Sequence, residues 1–157
     1  MLLNQQKLNI NELNNYLNKI YKKQNINIAQ TTYIKAKYLL SKDNKISKEN
    51  IEKLVMSNLY TEGLRDLMYA FIEDDKNKKI GLFERAIKNL KHIKYYQIDG
   101  IYFYAKYLKE IGNTKEYETQ FEIGLNGSKK SHFRFLIHQF ENLKNNINKP
   151  MHEKVMS

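Results

Sequence analysis

The sequence predicts an all-α fold, and three observations carry that reading. Apolar residues recur at helical spacing over segments of roughly 12–15 residues joined by short polar stretches. Turn formers are scarce: of 157 residues one is proline, Pro150, and six are glycine, fewer than a chain of short strands and tight turns would use. A stretch also repeats, because Tyr33–Asn44 reads YIKAKYLLSKDN and Tyr102–Asn113 reads YFYAKYLKEIGN, 69 residues further on. Tyr-x-x-Ala-Lys-Tyr-Leu is spelled twice with Asn at the same offset, which predicts a repeated structural unit and a third copy near the midpoint.

The elements follow in order. Ile10, Leu13, Leu17 and Ile20 share one face of a first helix over residues 10–22. Ala29, Tyr33, Ala36 and Leu40 line a second, which ends in SKDNK. Ser47 can cap a third, with Glu49 near its positive end and Ile51, Leu54, Val55 and Leu59 along its stripe. Thr61 restarts the chain as a helix through Leu64, Leu67, Met68 and Phe71, with Gly63 loosening the junction, and EDDKN breaks it. Phe83, Ala86, Ile87 and Leu90 align on the next helix. Ile98, Tyr102, Ala105 and Leu108 follow, closed by Gly112-Asn113. Thr114 can cap the helix bearing Tyr117, Phe121 and Leu125, which Gly127 ends, and Ser131 a last helix through Phe133, Ile137, Phe140 and Leu143. The tail after Asn145 is expected to fray.

The third copy lies at LMYAFIEDDKN, Leu67–Asn77, where Ala70 stands 34 residues after Ala36 and 35 before Ala105. A small residue at one point of three helices, at that period, fits a helix-pair repeat. Residues 98–127 resemble a tetratricopeptide repeat: Ala105, Leu108, Gly112-Asn113, Phe121, Gly124 and Leu125 fall at that pattern's offsets, and Tyr117 departs from it. The second unit keeps Ala70, Phe83 and Ala86 with a shorter link. The first keeps Tyr33, Ala36 and Leu39 and has no aromatic on its second helix. The length of 157 residues predicts a single domain over residues 1–157, and the resemblance implies a right-handed array of about three degenerate antiparallel helix pairs at approximately 28–60, 61–97 and 98–127. Helices 10–22 and 131–145 would cap its ends. An irregular helical bundle is the alternative. The run Gly100–Leu143 is also similar to the closing helices of peptide-pheromone receptors of Gram-positive bacteria and their phages, which implies a regulatory setting.

Composition bounds the function. The chain carries 27 Lys and Arg against 17 Asp and Glu, a net charge of +10, and only Arg65, Arg85 and Arg134 are arginine. The excess is N-terminal, with +6 in residues 1–60 (10 basic, 4 acidic). Such a charge favours acidic partners, nucleic acid among them, although AT-rich codon usage raises lysine too. With no cysteine there is no disulfide or thiolate chemistry. The start lacks the pattern of a signal peptide and no apolar run is long enough to span a membrane, so a cytoplasmic protein is expected.

Catalysis needs convergent groups, and His92, His132, His138 and His152 are scattered without metal-ligand spacing. Asp74-Asp75 reads as a solvated turn, and Glu118 and Glu122 as a wet helix face. A non-enzymatic protein with no cofactor or metal is expected. In stacked helix pairs the first helices line a concave face at fixed offsets from the small residue. That places Tyr33, Leu67 and Tyr102 three before it, Lys37, Phe71 and Lys106 one after it, and Lys109 a turn beyond. These seven make a candidate groove for a protein or peptide segment, one that is acidic or ends in a free carboxylate. Against this, Tyr33 and Tyr102 can be core residues and the lysines solvated. A homodimer through Phe133 and Phe140, and a basic regulator binding nucleic acid through clusters such as Tyr21–Lys23, Lys76–Lys79 and Ser128–Lys130, are the other expectations.

Overall fold

The computed structural model describes residues 10–16, 28–56 and 58–146, and every regular element among them is a helix. These are α1 (residues 10–16), α2 (Ile28–Ser41), α3 (Lys48–Glu52), α4 (Leu59–Ile72), α5 (Lys76–Asn89), α6 (Lys94–Glu110), α7 (Thr114–Lys130) and α8 (Arg134–Asn145). The all-α expectation holds. No helix among the described residues is long and apolar enough to cross a membrane. The chain divides into two compact units, one up to Lys94 and one from Tyr95.

In the first unit the core is built from Ala29, Tyr33, Ala36, Ile51, Leu64, Leu67, Met68, Ala70, Phe83, Ala86 and Leu90. Leu13 of α1 is fully buried against Tyr38. The expected partners Leu17 and Ile20 lie outside the described residues, as does the tail beyond Asn146. The helices α4 and α5 run antiparallel: a Cβ on Gly63 would lie 2.6 Å from Leu90 Cγ, Arg85 bonds Asp66, and Lys79 Nζ reaches the Ala70 carbonyl at 2.6 Å. Gly63 is therefore a close-approach point between two helices, not a loosened junction.

The third helix departs most from expectation. It begins at its Ser47 cap, with Asn50 N–H donating to Ser47 Oγ at 3.3 Å, but is only five residues long. Val55 and Leu59, expected on its apolar stripe, are 80% and 53% exposed. The competing start signal is Asn58, whose side chain accepts from Thr61 N–H while the Thr61 hydroxyl accepts from Asn58 N–H, a capping box. Asn58 is thus the cap of α4, which begins at Leu59 rather than at Thr61. Asp75 likewise caps α5, starting it at Lys76.

In the second unit Ile98, Ile101, Tyr104, Ala105, Leu108, Tyr117, Phe121, Leu136, Phe140 and Leu143 are buried. The helices α6 and α7 are antiparallel, since a Cβ on Gly124 would sit 3.0 Å from Ile101 and one on Gly127 3.1 Å from Ile98. Gly127 is a packing position inside α7, which runs on to Lys130 rather than ending there. Asn113, not Thr114, caps α7. Ser131 closes α7 rather than opening α8, whose N-cap Phe133 has no side-chain hydrogen bond.

The two repeated Asn residues occupy the same place in a helix ending, through their backbone N–H groups. Asn44 N–H bonds the Leu39 carbonyl and Asp43 N–H that of Leu40, while Asn113 bonds Leu108 and Gly112 bonds Lys109. Both are Schellman closures, with Asp43 (φ 55°) and Gly112 (φ 77°) in the left-handed position. The same closure ends α7, where Phe133 N–H bonds Ser128 O and His132 N–H bonds Lys129 O. His132 (φ 57°) takes the left-handed place there. The middle copy, at Ala70, has no such ending, and Glu73 leaves α4 in extended backbone.

Candidate functional site

The seven candidate groove residues fall in both units, and each unit is described by itself. In the first, Tyr33 stacks on Phe71 with ring centroids 6.0 Å apart, fastening α2 to α4. Tyr33 and Leu67 are 0% exposed and Phe71 5%. Their side chains fill the core and offer no surface to a ligand in this conformation. Lys37 is half-buried one turn beyond Tyr33, with its Nζ 5.6 Å from the Tyr33 ring centre. Beyond the helix ends, Lys45 pairs with Asp74 at 3.2 Å. Together with the Tyr33–Phe71 stack, this pair beyond the two C-terminal ends has α2 and α4 running in the same direction.

The second unit has a comparable seam, edge-to-face where Tyr33 and Phe71 stack. Tyr102 meets Phe140 at 5.6 Å, Tyr95 meets Phe133 at 5.2 Å, and Lys109 Nζ donates to the Leu143 carbonyl, so α6 and α8 are also parallel. Tyr102 is half-buried, Lys106 is exposed, and Lys109 is half-buried with its ammonium near the Tyr117 ring as well. Burial first, and then the carboxylate of Asp99, push the phenols of Tyr95 and Tyr102 up to about 12. Asp99 is itself 2% exposed on the same face of α6.

These two seams extend the sequence repeat beyond what its first helix reveals. Tyr33 with Phe71 and Tyr102 with Phe140 are the same pair displaced by 69 residues, and so are Leu67 with Leu136 and Arg65 with Arg134. Sequence reasoning placed Phe140 on a capping helix and missed Arg65 and Arg134. The signal was there, since the 69-residue offset that aligns residues 33–44 with 102–113 also aligns residues 65–71 with 134–140. It is obscured because Ala70 corresponds to Gln139.

Three acidic groups of the first unit have structural partners. Arg85 donates from Nε and a terminal nitrogen to both oxygens of Asp66, at 2.8 and 2.9 Å. Asp66 is 1% exposed, and the hydrogen bonds and charge of that carboxylate raise Arg85 above its ordinary pKa. Asp75 caps α5 and Asp74 pairs with Lys45. Among the described residues no group of three His, Asp or Glu could hold a metal ion. Arg65 Nε is buried without a hydrogen-bond partner, and so is the Tyr117 hydroxyl. No family model matches the chain, and no curated protein or solved structure matches it either.

Proposed function

We propose that the chain is a non-enzymatic module that binds a peptide or protein segment, in a regulatory setting, on tetratricopeptide-like helix pairs. One observation supports this above the others. In each unit two helices run in the same direction, joined by an aromatic pair, with a lysine one turn beyond the tyrosine: Lys37 at the Tyr33–Phe71 seam, Lys106 at the Tyr102–Phe140 seam. Helix-pair arrays present such faces to extended ligands, and rigid aromatics with lysines beside them suit an acidic segment. Tyr33, buried, and Tyr102, half-buried, then act as the floor that positions the lysines, and the lysines make the contact.

The test is a tagged pull-down from native extract, with and without nuclease, using the native chain and a Lys37→Ala/Lys106→Ala variant. The expected result is a stoichiometric protein partner that survives nuclease and is depleted by the variant. A second reading, a basic helical protein acting on nucleic acid, draws on the exposed group Lys129, Lys130 and Arg134 at one end of α7 and α8. Loss of every partner after nuclease favours that reading over the first.

A further inference from the structure

The charge of the second unit is sorted by end. Its described carboxylates, apart from Asp99, lie at Glu110 where α6 ends, on α7 up to Glu122, and at Glu141 in the second half of α8. Asp99 is 2% exposed. Between Glu122 and Glu141 eighteen positions carry no acidic residue, and they hold Lys129, Lys130 and Arg134. At a rise of about 1.5 Å per residue, Lys129 and Arg134 each stand about 10 Å along their helix from the nearest of these glutamates. The backbone keeps the three cations around one turn: Ser131 N–H bonds the Gly127 carbonyl, Phe133 N–H that of Ser128 and His132 N–H that of Lys129. All three side chains are exposed, and none makes an ion pair or a side-chain hydrogen bond with a described residue.

Helix electrostatics accounts for the lysines and not for the arginine. Lys129 and Lys130 are in the last turn of α7, where the negative end of the helix favours cations. Arg134 opens α8, whose positive end disfavours them. The first turn of α8 has no acidic residue, and its cap Phe133 makes no side-chain hydrogen bond. The helix α6 begins at the same end, where Tyr95 meets Phe133 at 5.2 Å, and its first turn has no acidic residue either. Arg134 therefore sits against the field of its own helix with two lysines one turn away, and an anion placed there relieves both repulsions. Among the described residues of this unit the one large apolar side chain left exposed is Ile123, so this end offers cations without the apolar anchors that protein interfaces use. A partner held by dense charge fits it best, and a nucleic-acid strand carries a phosphate about every 3.4 Å.

We infer that this end of the second unit, where α7 closes and α8 begins, is a contact surface for the phosphate backbone of a nucleic acid, through Lys129, Lys130 and Arg134. Contacts of this kind carry no sequence preference. The inference rests on the second reading above, names its site, and leaves the peptide-binding reading separate.

The test uses the full chain and fluorescent oligonucleotides of about 12 nucleotides, one single-stranded and one a hairpin duplex with as many phosphates, read by anisotropy from about 50 to about 200 mM salt. A glutamate peptide of equal charge is the competitor from another class. The expected result is tighter binding of nucleic acid than of the peptide, and the tighter of the two oligonucleotides identifies the form of backbone recognised. Lys129→Gln, Lys130→Gln and Arg134→Gln should each weaken binding and reduce the log–log salt slope by about 0.7 on a single strand or about 0.9 on a duplex. Lys115→Gln removes the same charge about 21 Å away along α7, beyond the screening length, and should leave the slope unchanged. Arg134→Gln should also melt no lower than the native chain. Equal slope changes in Lys115→Gln and the other three variants overturn the inference and leave the second reading standing with its site elsewhere. Absence of binding to either oligonucleotide at about 50 mM salt overturns both. Peptide binding as tight, lost in the same three variants, assigns the cations to an acidic protein. A lower melting temperature in Arg134→Gln with unchanged binding gives that arginine a structural role and overturns the assignment.

Discussion

Two glycines inside helices show how far a single missing methyl group depends on its surroundings. Gly81, on the exposed side of α5, has nothing within 4 Å of where a Cβ would stand. Gly81→Ala should therefore stabilise the chain by about 0.5–1 kcal/mol through reduced backbone entropy in the unfolded state. A Cβ on Gly124 would lie 2.2 Å from Phe140 Cζ, and Phe140 is 0% exposed, so its ring has nowhere to retreat. Overpacking of about 1–3 kcal/mol outweighs the helix propensity gained, so Gly124→Ala should lower the urea midpoint while Gly81→Ala raises it. Equal shifts in the two would mean that α7 and α8 do not meet there. The half-buried phenols give a pH dependence. Tyr95 and Tyr102 must stay neutral to remain buried, and their folded value of about 12 lies above the ordinary 10. Their contribution to stability is whole below about pH 10 and is lost as pH rises towards 12. Thermal melts across that range should show alkaline destabilisation, and Tyr102→Phe should lessen it.

At the scale of the element, the left-handed closures decide where helices end and what their ends cost. A non-glycine residue in that conformation gives up about 1 kcal/mol. His132→Gly should stabilise the chain by that order and raise the melting temperature, Asp43→Gly should raise it less because aspartate tolerates the conformation, and Gly112→Ala should lower it. Unchanged melting in all three would show that these turns relax elsewhere. Most helices were legible in the sequence because burial on one side imposes a 3.6-residue period that chemistry cannot hide. Their starts were less so. Asn58 and Thr61 both suit a cap, and only their reciprocal hydrogen bonds reveal that Asn58 is the cap and Thr61 its third residue. Ile51, Leu54, Val55 and Leu59 satisfied the helical period, yet α3 stops at Glu52. Periodicity reports which residues could share a face, not whether another helix comes to cover it.

For the molecule as a whole, the repeat is a statement about two seams. Phe71→Ala and Phe140→Ala each remove a ring from a buried aromatic pair and should each cost about 3–5 kcal/mol, measured by chemical unfolding. A large difference between them would argue against equivalence. Of the candidate groove, the sequence placed Lys37 and Lys106 one turn beyond Tyr33 and Tyr102, but it could not tell that Tyr33, Leu67 and Phe71 are core. The offset arithmetic for an array is the same whether a side chain faces a ligand or the next helix. The lysines raise a last point. Lys79 of α5 donates to the Ala70 and Glu73 carbonyls that close α4, and Lys109 of α6 donates to Leu143 near the end of α8. Where α2, α6 and α7 end in left-handed closures, α4 and α8 add to their own last backbone bond a donor from a neighbour. A helix end held in that way does not fray alone, so its amides should exchange with solvent only when the lending helix also opens. Lysine, the source of the chain's charge, thus also sets the size of its cooperative units.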